Sequence, residues 1–155
     1  MVKELNRISE IEVIYRPEFK ATECPQVLSA LDAYQIFIEH WNKERIEFNE
    51  EFKIMLLNRE SRVLGIATIS VGGVSATVVG PKIVFGIALK ANASAIILGH
   101  NHPSGNLIAS EADKGLTNKI NLGGYLLDIQ IHDHLIITND GYLSFKEEGL
   151  LEKLF

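Results

Sequence analysis

Two histidines and an aspartate that lie close together in the sequence form a pattern that can hold a metal ion. His100 and His102 are two positions apart, so an extended backbone points both imidazoles to the same side. Pro103 restricts His102 to extended conformations. With the carboxylate of Asp113, the imidazoles leave the fourth position of a zinc ion open for water, as in catalytic sites. Zinc lowers the pKa of that water from about 15.7 to about 7, which makes hydroxide available at neutral pH.

Each part of this pattern also has an explanation without a metal. Two histidines spaced His-x-His are often only polar loop residues, and Ser110-x-x-Asp113 resembles a helix capping box with the serine as N-cap. Gly99 and Gly105 allow sharp turns at both ends of the histidine segment. The histidine pair and the Ser-x-x-Asp spacing occur together in one stretch of fourteen residues, 100–113, and this combination favours the metal site. Ser110 can serve both purposes, because its backbone can start the helix while its hydroxyl faces the metal.

Hydrophobic periodicity and turn residues predict the elements that must position these groups. Strands and helices interleave, and at least one strand pair is a hairpin, so we expect an α/β (α+β) fold with a mixed β-sheet flanked by helices. The polar segment 42–49 is the candidate internal boundary. In chain order the predicted elements are a strand at 11–15, a helix at 27–41, strands at 52–57 and 63–70, a helix at 81–92, a strand at 95–98, a loop at 99–108, a helix from 111 to about 123–124, and strands at 129–138 and 142–145.

Composition narrows the class of protein. With 155 residues, 46% hydrophobic and 23% charged, the chain suits one soluble domain with a substantial core. The net charge of -5 argues against a large nucleic-acid surface, which needs clustered Lys and Arg. The single cysteine, Cys24, excludes an internal disulfide and a cysteine-based zinc cluster. We expect a cytoplasmic protein, because we find neither an apolar signal segment nor a run long enough to cross a membrane.

The motif resembles that of a known family. Its pattern His-x-His-Pro-x6-Ser-x2-Asp is the JAMM (MPN+) signature, and residues 100–113 match every signature position. The string 100–105 is similar to the RadC branch in particular. Further similarity to that branch lies at 91–98, Asp133-His134 and Tyr142-x-Ser144.

The resemblance covers about two thirds of the chain, roughly 46–150. It implies the JAB/MPN architecture, which is cytidine-deaminase-like, for a RadC-like JAB/MPN+ domain at 46–155. The strand and helix expected within 1–45 would pack on that core, so that the whole forms one compact unit.

The resemblance also implies a role for each site residue. His100, His102 and Asp113 would bind one Zn2+ per chain. Ser110 would donate a hydrogen bond to the oxyanion of the tetrahedral intermediate. A glutamate from an early strand would take a proton from the attacking water and pass it to the leaving nitrogen.

Glu50 fits that glutamate. In RadC-like chains the glutamate stands two residues before an aromatic residue that opens an apolar strand, which here is Phe52. Glu51 and Glu47 are close alternatives, and any one of the three can be a solvated surface charge. Strand alternation puts Glu50 and Phe52 on one face and Glu51 on the other, which favours Glu50.

Other polar residues outside the motif have two interpretations each. His132 and His134 alternate along a predicted strand and are possible rival ligands, although structural roles are favoured. Asp133-His134 can instead orient the ligands, since metal-binding side chains usually need such support. Gly72-Gly73 stands where the family has a Ser-x-Gly element, so it is either a backbone turn near the site or a plain loop.

Taken together, the motif and the resemblance predict a zinc-dependent hydrolase that cleaves a peptide, isopeptide or other amide bond. The alternative is a non-catalytic RadC-type binding module associated with DNA processing. RadC proteins usually carry a helical N-terminal region that resembles a DNA-binding module, but too few residues precede Glu50 here, and no basic cluster lies there. We therefore expect a peptide or protein substrate, no membrane partner, and at most a weak link to DNA. The oligomeric state stays open, because apolar residues at 145–155 can pack within the chain or on a second subunit.

Overall fold

The computed structural model describes residues 16–72 and 79–155, together with Ser9, Glu12 and Ile14. The strand predicted at 11–15 falls outside the described residues except at Glu12 and Ile14. A 3-10 turn, Ala21–Glu23, precedes the main elements. These are helices α1 (Ala30–His40), α2 (Pro81–Lys90) and α3 (Glu111–Leu126), and strands β1 (Glu51–Leu57), β2 (Val63–Val71), β3 (Ala95–Asn101), β4 (Gln130–Thr138) and β5 (Gly141–Ser144). Among the described residues, none of these helices has both the length and the apolar character that crossing a membrane requires.

In the described part of the chain, the strands form one mixed sheet in the order β2-β1-β3-β4-β5. Strand β1 is antiparallel to both of its neighbours, and β4 is antiparallel to β5. Strands β3 and β4 are parallel, which requires a long crossover between them, and α3 lies in that crossover. The sheet and its helices confirm the predicted α/β (α+β) class.

Helices cover both faces of the sheet. On one face, α1 packs Phe37 against Met55 and Leu57 of β1. On the other face, α2 and α3 pack against Phe52 and Ile54 of the same strand. Alternate residues of β1 therefore enter different cores, as the two-residue period of a strand requires. Full burial of each large apolar side chain stabilises the fold by about 1.5–3 kcal/mol. The central strands are therefore held in place on both faces of the sheet.

Helix α1 begins at Ala30, three residues later than the predicted start at 27. Val27 instead donates its backbone N–H to the Ser61 carbonyl, 2.9 Å away. The helix starts where Ser29 caps it: the hydroxyl accepts the Asp32 N–H at 3.1 Å, and the Asp32 carboxylate accepts the N–H of Leu28 and of Ser29, each at 2.9 Å. These hydrogen bonds hold the pKa of Asp32 below its ordinary value.

Strand β3 is longer than predicted. It runs to Asn101, whereas the sequence predicted a strand at 95–98 and a loop from 99. The strand continues because His100 lies opposite Phe52 on one side and Ile136 on the other, so both ladders extend through it. The first part of the predicted loop is therefore wrong, and the first histidine of the motif lies within the sheet.

Glycines predicted to turn or stop the chain are instead needed for close packing. Gly99 lies inside β3, where a Cβ would come within 3.0 Å of the Phe37 ring. Helix α3 does not end at the Gly123-Gly124 pair but continues to Leu126. A Cβ on Gly124 would collide with the carbonyl oxygen of Ile129, so this glycine lets the helix lie directly against the chain that enters β4.

Candidate metal and catalytic site

Strand β3 brings the two histidines together where it leaves the sheet. His100 is buried, and His102, one residue past the strand, donates its N–H to the Ile137 carbonyl at 3.2 Å. This extended backbone points both rings to one side, as predicted, and their Nε2 atoms lie 3.0 Å apart. The chain then turns at Gly105, whose φ of 77° is in the left-handed region that favours glycine.

The first turn of α3 supplies the carboxylate. Ser110 is the N-cap: its Oγ accepts the Asp113 N–H at 3.1 Å, and Asp113 Oδ2 accepts the Ser110 N–H at 2.8 Å. The same cap places Asp113 Oδ1 at 3.3 Å from His100 Nε2. Because the cap uses only a lone pair of the serine oxygen, the hydroxyl hydrogen of Ser110 can still be donated, to the Asp113 carboxylate or to another acceptor.

The surroundings of Asp113 keep its carboxylate ionised. Burial acts to raise its pKa, but the hydrogen bond and charge of His100, with hydrogen bonds from Ser110, outweigh burial and hold the pKa well below the ordinary value. An ionised carboxylate beside two imidazole nitrogens is the charge state that a divalent cation needs.

The donor atoms converge as a metal site requires, with one ligand atom from each of the three residues within 4.8 Å of the others. His100 Nε2 lies 3.0 Å from His102 Nε2 and 3.3 Å from Asp113 Oδ1, and His102 Nε2 lies 3.8 Å from Asp113 Oδ2. Zinc bonds of about 2.0–2.1 Å in a tetrahedral arrangement place ligand atoms about 3.3 Å apart. In addition, His102 Nδ1 lies 2.7 Å from the Asn106 carbonyl, which can only accept, so Nδ1 carries a proton and Nε2 is the nitrogen available to a metal. Zinc binding by these three residues nevertheless stays a prediction, although the geometry favours it.

The structure separates the three candidate glutamates. Glu50 lines the same cavity as the two histidines and Asp113. Glu51 points to the opposite face of the sheet, where it is 3% exposed and pairs with Lys53 at 2.9 Å. Glu47 is exposed and accepts a hydrogen bond from Asn139 Nδ2 at 2.8 Å. Of these three glutamates, only Glu50 lines the cavity of the candidate metal site, and its role as the acid/base stays a prediction.

Asn101 fixes the backbone on both sides of Glu50. This side chain is fully buried and points away from the two histidine rings, as alternation along a strand requires. Its Nδ2 donates to the carbonyls of Ile46 at 2.7 Å and Asn49 at 2.9 Å, and its Oδ1 accepts the Glu51 N–H at 2.7 Å. Sequence reasoning missed this role, although a polar residue between two ligands in an apolar strand is a signal for it.

His134 lies behind His100, and His132 lies elsewhere. His134 Nε2 is 2.8 Å from His100 Nδ1, and Thr117 Oγ1 is 2.6 Å from His134 Nδ1. Burial holds the pKa of His134 well below its ordinary value, and the nearby His100 lowers it further. His132 instead contacts Gln130 at 3.2 Å and lines a different cavity, because an irregularity in β4 at this residue interrupts the alternation. Of the two rival histidines, only His134 therefore touches a candidate ligand, and sequence reasoning missed Thr117 entirely.

Asp133 and Gly72 support the surrounding backbone. Asp133 accepts the backbone N–H of His134 at 2.7 Å and of Lys146 at 2.9 Å, so it ties β4 to the residues after β5. Gly72 donates its N–H to the Glu50 carbonyl at 2.8 Å, which continues the pairing of β2 with β1 by one residue beside the site. Gly73 lies outside the described residues.

The candidate ligands open into a cavity of about 470 Å³. Its walls combine two carboxylates with apolar side chains, and no Lys or Arg contributes to it among the residues that the structure describes. The lining residues are Glu50, Phe52, Val79, His100, His102, Pro103, Ser104, Asn106, Ile108, Ser110, Ala112, Asp113 and Leu116.

A mixed sheet that carries His-x-His-Pro at a strand end and Ser-x-x-Asp on the next helix defines the JAB/MPN class of domain. The sequence profile of the RadC-like JAB domain matches residues 27–150, and the chain belongs to this family. The match begins at Val27, so it includes α1 as well as the sheet.

Curated relatives agree with this assignment. The chain is 46% identical over 102 residues to a UPF0758 protein of Flavobacterium johnsoniae, which covers 66% of this chain and 44% of that protein. It is 40% identical over 116 residues to a UPF0758 protein of Desulfitobacterium hafniense, covering 74% and 51%. A UPF0758 protein of Symbiobacterium thermophilum is 39% identical over 102 residues, covering 66% and 44%. The chain thus spans about half the length of the curated relatives that it matches.

Proposed function

We propose that this chain is a zinc-dependent hydrolase that cleaves a peptide, isopeptide or other amide bond with an activated water. The observation that carries the proposal is the convergence of His100, His102 and Asp113 within 3.0–3.8 Å, in one cavity with Glu50. The two imidazoles and the carboxylate would hold the zinc and leave one position open. Bound there, zinc would polarise the scissile carbonyl and lower the pKa of water.

The protein's own residues supply the remaining chemistry. The Glu50 carboxylate would accept a proton from the attacking water and deliver it to the leaving nitrogen, which must depart as an amine. Ser110 Oγ accepts the Asp113 N–H of the helix cap, so its O–H hydrogen can be donated to the oxyanion that develops on the substrate carbonyl. The Asn101 hydrogen bonds hold the backbone on either side of Glu50, so they would keep its carboxylate beside the metal.

The cavity favours an uncharged substrate over a polyanionic one. The charges of Glu50 and Asp113 would be offset by a bound Zn2+, and the described lining residues include no Lys or Arg to balance a phosphate. The net charge of -5 acts in the same direction. We therefore propose a peptide or protein substrate, and give less weight to the non-catalytic module associated with DNA processing.

The test is a screen of the zinc-loaded protein against quenched fluorescent peptides and isopeptide-linked peptides, followed by Glu50→Gln on any substrate found. The variant should lose about 10²- to 10⁴-fold in kcat, the usual contribution of a positioned acid/base, while its zinc content stays unchanged. Glu47→Gln is the matched control, because Glu47 is an exposed glutamate outside the cavity. A Glu50→Gln protein as active as wild type would refute the proposed role. DNA affinity that falls steeply with salt and survives His102→Ala would favour the binding module instead.

A further inference from the structure

We propose that Thr117 and His134 are positioning residues that hold His100 in the tautomer a metal ligand requires, with its proton on Nδ1 and a free lone pair on Nε2. This inference rests on the metal site of the proposed function. It gives a role to two buried residues, Thr117 and His134, that take no part in the proposed hydrolysis itself.

A continuous hydrogen-bonded chain joins α3 to β3. Thr117 Oγ1 lies 2.7 Å from the backbone carbonyl oxygen of Asp113, one turn earlier in the same helix. The same oxygen lies 2.6 Å from His134 Nδ1, and His134 Nε2 lies 2.8 Å from His100 Nδ1. Thr117, His134 and His100 are each at most 1% exposed, so solvent offers them no alternative partner.

The direction of each hydrogen bond follows from the Asp113 carbonyl, where this series of hydrogen bonds begins. The Asp113 carbonyl can only accept, so the single hydrogen of the Thr117 hydroxyl is donated to it. The Thr117 oxygen must then accept from His134, which puts the His134 proton on Nδ1. A neutral His134 has no proton left for Nε2, so Nε2 accepts and His100 Nδ1 donates. His100 Nε2, 3.3 Å from Asp113 Oδ1, is then the nitrogen left for the metal, and its lone pair becomes free once the proton shared with Asp113 leaves.

The packing around His134 favours its neutral form. The ring is 0% exposed and lies between two phenylalanine rings, with centroids 4.5 Å from Phe145 and 5.6 Å from Phe52. A charged imidazole in such apolar surroundings would be costly without a carboxylate partner. Its two ring nitrogens instead contact a hydroxyl and a second imidazole, and neither partner carries a negative charge.

The arrangement ties two candidate ligands on different elements to each other. These hydrogen bonds begin at the backbone of Asp113 on α3 and end at the ring of His100 on β3, so they tie the ring of one candidate ligand to the helical turn that carries the other. His102 is set by a separate partner, the Asn106 carbonyl, which does not involve Thr117. Loss of the Thr117 hydroxyl should therefore affect His100 selectively.

The experiment compares Thr117→Val, which has nearly the same shape but no hydroxyl, with Thr117→Ser, which keeps the hydroxyl. Zinc affinity is measured by competition with a chromophoric chelator. We expect Thr117→Val to bind zinc about 10- to 100-fold more weakly, the usual effect of losing such support, and Thr117→Ser to stay near wild type. Equal zinc affinity in the valine and wild-type proteins would overturn the proposal.

Long-range 1H–15N spectra of the metal-free wild-type protein test the tautomer without any variant. We expect a protonated Nδ1 on both His100 and His134, while His100 Nε2 can also hold the proton that it shares with the Asp113 carboxylate. The opposite tautomer on His100 would overturn the inference even if zinc binds. A wild-type protein that takes up no zinc would instead contradict the proposed function, while the spectra would still decide the proton order.

Discussion

Replacing Asn101 by alanine tests how the strand that carries the histidines positions Glu50. The change removes the hydrogen bonds to the carbonyls of Ile46 and Asn49 and from the N–H of Glu51. Each such bond contributes about 0.5–1.5 kcal/mol net, so the loss of three should destabilise the fold by about 3 kcal/mol. For a chain of this size that lowers the melting temperature by about 6–12 °C.

The assay is urea unfolding followed by the fluorescence of Trp41, the only tryptophan, which is 3% exposed in the core next to this segment. Asn118→Ala is the matched control, because Asn118 is an exposed asparagine on α3 and should change the free energy of unfolding by no more than about 0.5 kcal/mol. An Asn101→Ala protein as stable as that control would refute the reasoning. It would mean that the 46–51 segment, and Glu50 with it, is held by other contacts.

Two further predictions concern residues of the helices α3 and α1. Gly124→Ala should destabilise the protein by about 1–3 kcal/mol, because the new Cβ meets the Ile129 carbonyl oxygen, whereas Gly115→Ala on the same helix meets open space and should stabilise it by up to about 1 kcal/mol. If thermal melts show Gly115→Ala to be less stable than Gly124→Ala, the packing described for α3 is wrong. The second prediction concerns Asp32, because the pKa of its carboxyl group is lower in the folded protein than in the unfolded chain. Its charge therefore stabilises the folded protein at pH values above the unfolded pKa of about 3.9. The stability advantage of wild type over Asp32→Asn should be full at neutral pH and shrink as the pH falls through that value; a constant difference from pH 7 to pH 3 would count against the cap.

Most of the fold could be predicted from local patterns. The alternation of apolar residues placed β1 correctly, and the same alternation put Glu50 and Glu51 on opposite faces of the sheet. The Ser110-x-x-Asp113 spacing predicted a capped helix start, which the structure confirms, while the place of Ser110 in the cavity agrees with the second purpose suggested for it. These features depend on residues only a few positions apart, where backbone geometry alone decides the outcome.

The errors and omissions lie where distant parts of the chain decide. Strand β3 extends through His100 because two neighbouring strands pair with it, and Gly99 is required by a ring on α1 rather than by a turn. Asn101 contacts residues about fifty positions earlier, and Thr117 meets His134 seventeen positions later. A short local pattern carries no information on such partners, so these positioning residues became visible only in the folded chain.

Zinc stoichiometry tests the central claim most directly. The protein would be purified without added metal and without a histidine tag, and its zinc content compared with that of His102→Ala by mass spectrometry or atomic absorption. The account predicts about one zinc per wild-type chain, lost in the variant, with the folded metal-free variant still showing a cooperative unfolding transition. A wild-type protein that contains no zinc and takes up none on titration would contradict the account.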